Sequence, residues 1–166
     1  MRPAAAAGIA AAVLLVDQLT KAWVIATIPF GSQRDVIPGL FRIVHTRNRG
    51  IAFGFFGSSG PLVQTVLLVV VVAVVGVLIW QLMRGDGDRL AGCGLSLVLG
   101  GALGNLADRL LRGEVVDFLD VYVRSGGREH VWPTFNVADS CITVGAGLVI
   151  LAELLAARQR HATQAD

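Results

Sequence analysis

Four stretches of the chain are apolar for about the twenty residues that a helix needs to cross a bilayer: 4–28, 61–82, 90–111 and 137–157. The second is the plainest, a Val/Leu run whose only polar members are Gln64 and Thr65, with Pro61 at its start, where a missing N–H is tolerated. The other three carry ionisable residues: Asp17 and Lys21 in the first, Asp108 and Arg109 near the end of the third, Asp139 at the start of the fourth. Ionisable groups are costly in hydrocarbon and normally face a bundle interior or a wet cavity. The pattern therefore predicts four membrane helices, the second a lipid-facing anchor and the other three building a polar interior.

The connections are unequal. A short polar turn, 83–89, joins the second and third helices, whereas 29–60 and 112–136 are long excursions. Within the first excursion Phe41-Arg42-Ile43-Val44-His45-Thr46 is rich in β-formers and partly alternates, which predicts a small sheet. An even number of spans puts both termini on one side with the short turn, and both excursions on the other. Leu-x-x-Cys is absent after the first apolar run, and that run continues through Asp17, Thr20 and Lys21 without a small-residue cleavage site, so it reads as a retained helix rather than a signal peptide.

Composition agrees. Of 166 residues 54% are hydrophobic and 16% charged, with a mean hydropathy of +0.67; a soluble chain carries about 25% charged residues. The net charge of +2 and the lack of basic residues interleaved with aromatics argue against a nucleic-acid partner. Cys93 and Cys141 lie in apolar runs, without a second Cys or His at metal spacing, and read as small packing residues. Neither a metal nor a cofactor is expected. For orientation, Arg2, Arg84, Arg89, Arg158 and Arg160 share the side of the termini, against Arg34, Arg42, Arg47, Arg49, Arg112, Arg124 and Arg128 in the excursions. That tally runs against cytoplasmic termini under the positive-inside rule.

The chemistry rests on carboxylates. HExxH is absent, which removes support for a zinc peptidase of that type. A Ser–Lys hydrolase stays open by inventory, although no serine has a nucleophile-like setting near Lys21. Asp117, in Val115-Val116-Asp117-Phe118, and Asp139, in Asn136-Val137-Ala138-Asp139-Ser140, are acids among apolar neighbours at one membrane face. Two adjacent carboxyls share one proton, so one can take a proton from water while the other polarises a carbonyl. Against that, Asp139 is equally explained as a helix cap. Asp17 and Lys21, four residues apart, are expected to pair on one helix face. Asp108 is expected in a structural cluster with Asn105, and Asp120 as a solvated loop residue. A proton-relaying transporter using Asp17 or Asp108, and a scaffold whose polar groups serve only helix packing, are the rival readings.

Four segments in order carry a resemblance that covers nearly the whole chain: Asp17-Gln18-Leu19-Thr20-Lys21; Asn48-Arg49-Gly50-Ile51-Ala52-Phe53-Gly54; Gly100 to Arg109 followed by Val115-Val116-Asp117-Phe118; and Trp132-Pro133-Thr134-Phe135-Asn136-Val137-Ala138-Asp139-Ser140. Together they resemble the motifs of lipoprotein signal peptidase (signal peptidase II), the aspartic protease of the bacterial inner membrane. The resemblance implies an all-α membrane protein of four transmembrane helices with a small periplasmic β-cradle and a periplasmic lid formed by the second excursion, the termini being cytoplasmic. It implies Asp117 and Asp139 as the catalytic dyad. Asn48, Gly50, Asn105, Arg109 and Asn136 would line the site, and Asp17 and Lys21 would support it. It also implies a prolipoprotein substrate whose cysteine carries a diacylglyceryl thioether, cut on the N-terminal side of that cysteine among membrane lipids. Arg49 and Ile51 stand at positions that are variable or usually smaller, and Gly54 where Ser is common, which bears on substrate fit rather than on the chemistry.

Overall fold

The computed structural model describes residues 1–48, 61–85 and 88–165. Four helices, α1 (Pro3–Thr27), α2 (Pro61–Arg84), α3 (Arg89–Arg112) and α4 (Val137–Ala165), match the four apolar stretches, and each is long and apolar enough to cross a membrane. The ends follow local chemistry. Asp88 caps α3, its carboxylate accepting from the N–H groups of Leu90 and Ala91, and Gly113 closes the helix at φ 76°, a left-handed position that suits glycine. Helix α4 runs eight residues beyond the apolar stretch that ends at 157, because the polar residues that follow are compatible with a helix in water.

The centre of the bundle is α3, half of whose most apolar window is buried, against 11–22% for the other three. Glycine is the reason it can sit there. A Cβ on Gly94 would come within 2.6 Å of the Gly145 carbonyl oxygen, and a Cβ on Gly145 would meet the Gly94 carbonyl oxygen at the same distance. The two backbones thus touch directly, as small residues permit between membrane helices. On the opposite side Val75 and Leu78 of α2 pack with Ala10, Leu99 and Ala102. The expectation of one lipid-facing anchor needs correction: α4 is even less buried along its apolar window than α2, since it touches the bundle mainly through α3.

Both excursions build the sheet. Strands β1 (Gln33–Ile37), β2 (Phe41–Asn48), β3 (Val115–Ser125) and β4 (Arg128–Val131) form one antiparallel sheet in the order β1-β2-β3-β4. The second excursion, expected as a lid, is therefore largely strand: Val115-Val116-Asp117-Phe118-Leu119 is a β-branched and aromatic run that pairs with β2, with Asp117 opposite Thr46 and Val115 opposite Asn48. Gly126 and Gly127, at φ 58° and 74°, make the two-residue turn that such a hairpin favours. The sheet is fixed to the bundle by Val24 and Ile28 of the α1 end packing on Phe118, Leu119 and Ile43, and by His45, whose Nδ1 lies 2.8 Å from the Ile28 carbonyl oxygen.

Asp120 is not a solvated loop residue. It is 3% exposed, on β3, and accepts a hydrogen bond from Arg42 Nε, while Arg42 also reaches Glu129 at 2.8 Å and stacks over the Tyr122 ring. This ion cluster ties β2, β3 and β4 together on the sheet, apart from the groups described next.

Candidate active site

Asp117 and Asp139 reach the same place by different routes. Asp117 stands on β3 two residues into a strand that follows α3 after a single turn, and Asp139 stands in the first turn of α4. Both line a cavity of about 610 Å³ together with Asn48, Asn105 and Arg109, its apolar wall supplied by Val71, Val115, Trp132, Pro133, Phe135 and Ile142 among others.

Two buried asparagines join the acids. Asn136 donates through Nδ2 to Asp117 Oδ1 at 2.8 Å, and to Asn105 Oδ1 at 3.2 Å. Its Oδ1 accepts from the Asp139 N–H at 2.9 Å, and Asp139 Oδ2 accepts from the Asn136 N–H at 3.3 Å. That reciprocal pair is a capping box at the start of α4. The capping explanation of Asp139 is thus correct, but only one of its oxygens is occupied in this way. Asp139 Oδ1 accepts from Asn105 Nδ2 at 2.8 Å, and Asn105 Oδ1 accepts from Lys21 Nζ at 3.0 Å. Because lysine only donates, the Asn105 oxygen must face Lys21, and the amide orientation is fixed by chemistry. Asn48 Nδ2 completes the set, donating to Asp117 Oδ2 at 3.2 Å.

Burial, with the nearby Asp139 charge second, pushes the Asp117 carboxyl up to about 7, against the opposing hydrogen bonds from Asn48 and Asn136 and the more distant Lys21 charge. An acid in that range is part protonated and part ionised near neutral pH and exchanges its proton readily, as general acid–base work requires.

Behind the acids lies the ion cluster. Lys21 pairs with Asp17 at 2.8 Å, as expected from their spacing, and also with Asp108 at 3.1 Å, all three side chains fully buried. Asp17 Oδ1 accepts from the Ala138 N–H at 2.9 Å, so the first helix holds the start of the fourth. Asp108 belongs to the expected cluster with Asn105 through Lys21, and further accepts from Arg112, from Gln18 at 3.0 Å and from the Val116 N–H at 3.0 Å, which places β3. Arg109 lines the cavity and donates to the Asn105 carbonyl oxygen at 3.2 Å.

The structure thus brings together Asp117, Asp139, Asn48, Asn105, Arg109 and Asn136, and places Asp17 and Lys21 directly behind them. Gly50 lies outside the described residues. Sequence reading missed the role of Arg112, whose signal was its charge at a membrane helix end, and of Gln18, a polar residue within the first apolar run, and the wall residues Val71, Ile142 and Thr143, for which an apolar run gives no signal at all.

The comparisons with known proteins agree with one another. The family model for signal peptidase (SPase) II matches residues 9–155. A lipoprotein signal peptidase of Syntrophotalea carbinolica is 44% identical over 146 residues, covering 87% of this chain and 88% of that protein. One from Solibacter usitatus is 43% identical over 157 residues and 92% of each. A solved structure described as a bacterial membrane enzyme superposes with a TM-score of 0.78 at 34% identity, over 91% of this chain and 88% of its own.

Proposed function

The chain belongs to the signal peptidase II family, and from that premise we propose that it is an aspartic endopeptidase that removes the signal peptide from diacylglyceryl-modified prolipoproteins, cutting on the N-terminal side of the lipidated cysteine. One observation carries the aspartic reading: Asp117 and Asp139, from separate elements, line one cavity and are joined through the same two asparagines.

In this reading the two acids share a proton. The ionised one draws a proton from a water molecule, and the protonated one donates to the scissile carbonyl oxygen as the tetrahedral intermediate forms. Proton return to the leaving amine then breaks the C–N bond. Asn48, Asn105 and Asn136 hold the carboxyls through the bonds described above, and Arg109 presents positive charge to the cavity where negative charge develops. Gly50 is proposed as part of the substrate path on the family motif alone. The dyad supplies both acid and base, so the mechanism needs no cofactor. The protein acts as a single integral unit of the inner membrane with cytoplasmic termini. The two excursions and the cavity mouth then lie at the periplasmic face, where the substrate's acyl chains remain in lipid during the cut. A transporter that relays protons through Asp17 or Asp108 loses support, because Lys21 bridges both carboxylates.

Incubating the purified protein with a diacylglyceryl-modified prolipoprotein should release the signal peptide on a gel, with no effect of chelators. Asp117→Asn and Asp139→Asn should each abolish release while membrane insertion is kept, since an amide cannot take a proton from water. Substantial turnover by either variant would refute the dyad, and chelator loss restored by a divalent metal would refute the aspartic mechanism.

A further inference from the structure

The wall of the cavity at Trp132, Pro133, Thr134 and Phe135 is the direct continuation of β4. The segment 128–135 runs antiparallel to β3 from the hairpin tip to the acids, pairing Ser125 with Arg128, Tyr122 with Val131 and Leu119 with Phe135. Its outer side is the edge of the sheet. All four residues of β4 are exposed, and β4 packs against β3.

The ladder shows which backbone groups point outward. The Trp132 N–H donates to the Val121 carbonyl oxygen at 2.8 Å, so Trp132 and Val121 are a hydrogen-bonded pair. Pairs alternate along an antiparallel ladder. His130 and Val123 are therefore hydrogen-bonded, whereas the N–H and C=O of Val131 and of Glu129 are directed away from β3. Among the described residues no backbone group pairs with them. An extended peptide laid beside this edge would find two sets of donors and acceptors at the two-residue spacing that a strand requires.

We propose that this edge is a substrate subsite: the stretch of prolipoprotein that follows the lipidated cysteine adds to the sheet as an antiparallel strand beside β4. The inference rests on the peptidase reading and extends it. Direction follows from topology. The scissile bond must lie at Asp117 and Asp139, and β4 enters the cavity from its C-terminal end. The part of the substrate that stays in the membrane follows the helices, and the part that leaves it follows the hairpin, whose tip beyond Val123 is exposed. A chain starting at the cut and running outward is thus antiparallel to β4. Phe135 to Val131 spans four residues at about 3.4 Å each, so Val131 meets the substrate roughly three to five residues after the cut and Glu129 two residues further on. Recognition through main-chain groups tolerates varied side chains.

The test uses the purified full chain in detergent and three synthetic diacylglyceryl peptides with one signal segment. One ends two residues after the cysteine, one continues for eight more, and one is the long peptide N-methylated at alternate residues of that extension, prepared in both parities. The long peptide is expected to be cut with about tenfold higher kcat/KM than the short one, the scale of one or two backbone hydrogen bonds. N-methylation in one parity should remove the gain and in the other should keep it. On the enzyme, Val131→Pro deletes an outward N–H, which proline tolerates at an edge, and should lower the long-to-short ratio toward one. Equal rates for long and short peptides, or equal loss in both parities, would overturn the subsite while leaving the peptidase reading intact. Failure to cut either peptide would sink that reading and the subsite with it.

Discussion

Replacing Lys21 by Met should be the most damaging single change outside the dyad. Its ammonium spends its three donors on Asp17, Asp108 and Asn105, at 2.8, 3.1 and 3.0 Å, with no exposure to solvent. Met fills the space of the stem but leaves two buried carboxylates without their shared cation. Asp17 would retain the Ala138 N–H, and Asp108 would retain Arg112 and the Val116 N–H. Stranding one buried charge costs about 3–5 kcal/mol, and the surviving partners keep the loss near that figure although two acids are affected. For a chain of this size each kcal/mol lowers Tm by about 2–4 °C, so a fall of roughly 6–20 °C is expected. Thermal unfolding of the detergent-solubilised protein, followed by tryptophan fluorescence, measures it. Asp17→Ala should be milder, because Lys21 stays paired with Asp108. Asp17→Ala with Lys21→Ala should lie between the two single changes, since one stranded acid has been removed. This ordering differs from that of an isolated Asp17–Lys21 pair, in which the double change would be the mildest. A Lys21→Met protein that melts within about 2 °C of the parent would refute the reasoning.

The Asp117 carboxyl is raised from its ordinary value to about 7, so it is protonated in mildly acid solution and loses its proton as pH climbs through neutrality. Accordingly kcat/KM should decline on the alkaline side through about pH 7, and Asn48→Leu, which deletes a donor that favours the ionised form, should move that decline upward; a profile flat to about pH 9 would contradict it. Gly145→Leu should force α3 and α4 apart, lowering the yield of folded protein and, with it, the Asn105–Asp139 contact; normal yield and turnover would show that the close approach at Gly94 is dispensable. In a background with Cys93 and Cys141 replaced, Ser125→Cys should react with an impermeant maleimide from the periplasmic side and Arg158→Cys should not, and the reverse pattern would invert the proposed topology.

Much of this architecture was legible because a membrane helix announces itself by a run of apolar residues, and all four were found with their approximate ends. Paired acids were legible for the opposite reason: Asp117 and Asp139 are expensive among such neighbours. What stayed hidden depended on tertiary pairing. Nothing in Leu119-Asp120-Val121 says that Arg42, seventy-eight residues earlier, will neutralise Asp120, so the acid read as solvated when it is buried. The second excursion was expected as a lid on the resemblance alone, and its strands went unread because they are stabilised by β2, and not by a local signal strong enough to stand alone. Lys21 advertised its partner four residues away but not Asp108, which needs α1 and α3 side by side. The arginine tally is complicated for the same reason. Arg42, Arg47, Arg112 and Arg124 are engaged with Asp120, Glu114, Asp108 and Glu129, so their positions serve the sheet and the cluster as well as orientation.

The same cluster positions the two acids. Asp17 and Asp108 are buried with Lys21, and Arg112 joins Asp108. Two negative and two positive charges cancel there, as burial near a membrane demands. In front of them Asp117, Asp139 and Arg109 line the cavity. Two ionised carboxylates lining one largely apolar cavity repel each other, which favours keeping a proton on one of them. A singly protonated pair is the state from which the proposed aspartic reaction begins, with one oxygen ready to accept a proton from water and one ready to donate. The ion cluster behind the acids therefore contributes position: it fixes Ala138 and Val116 so that α4 and β3 converge on the cavity.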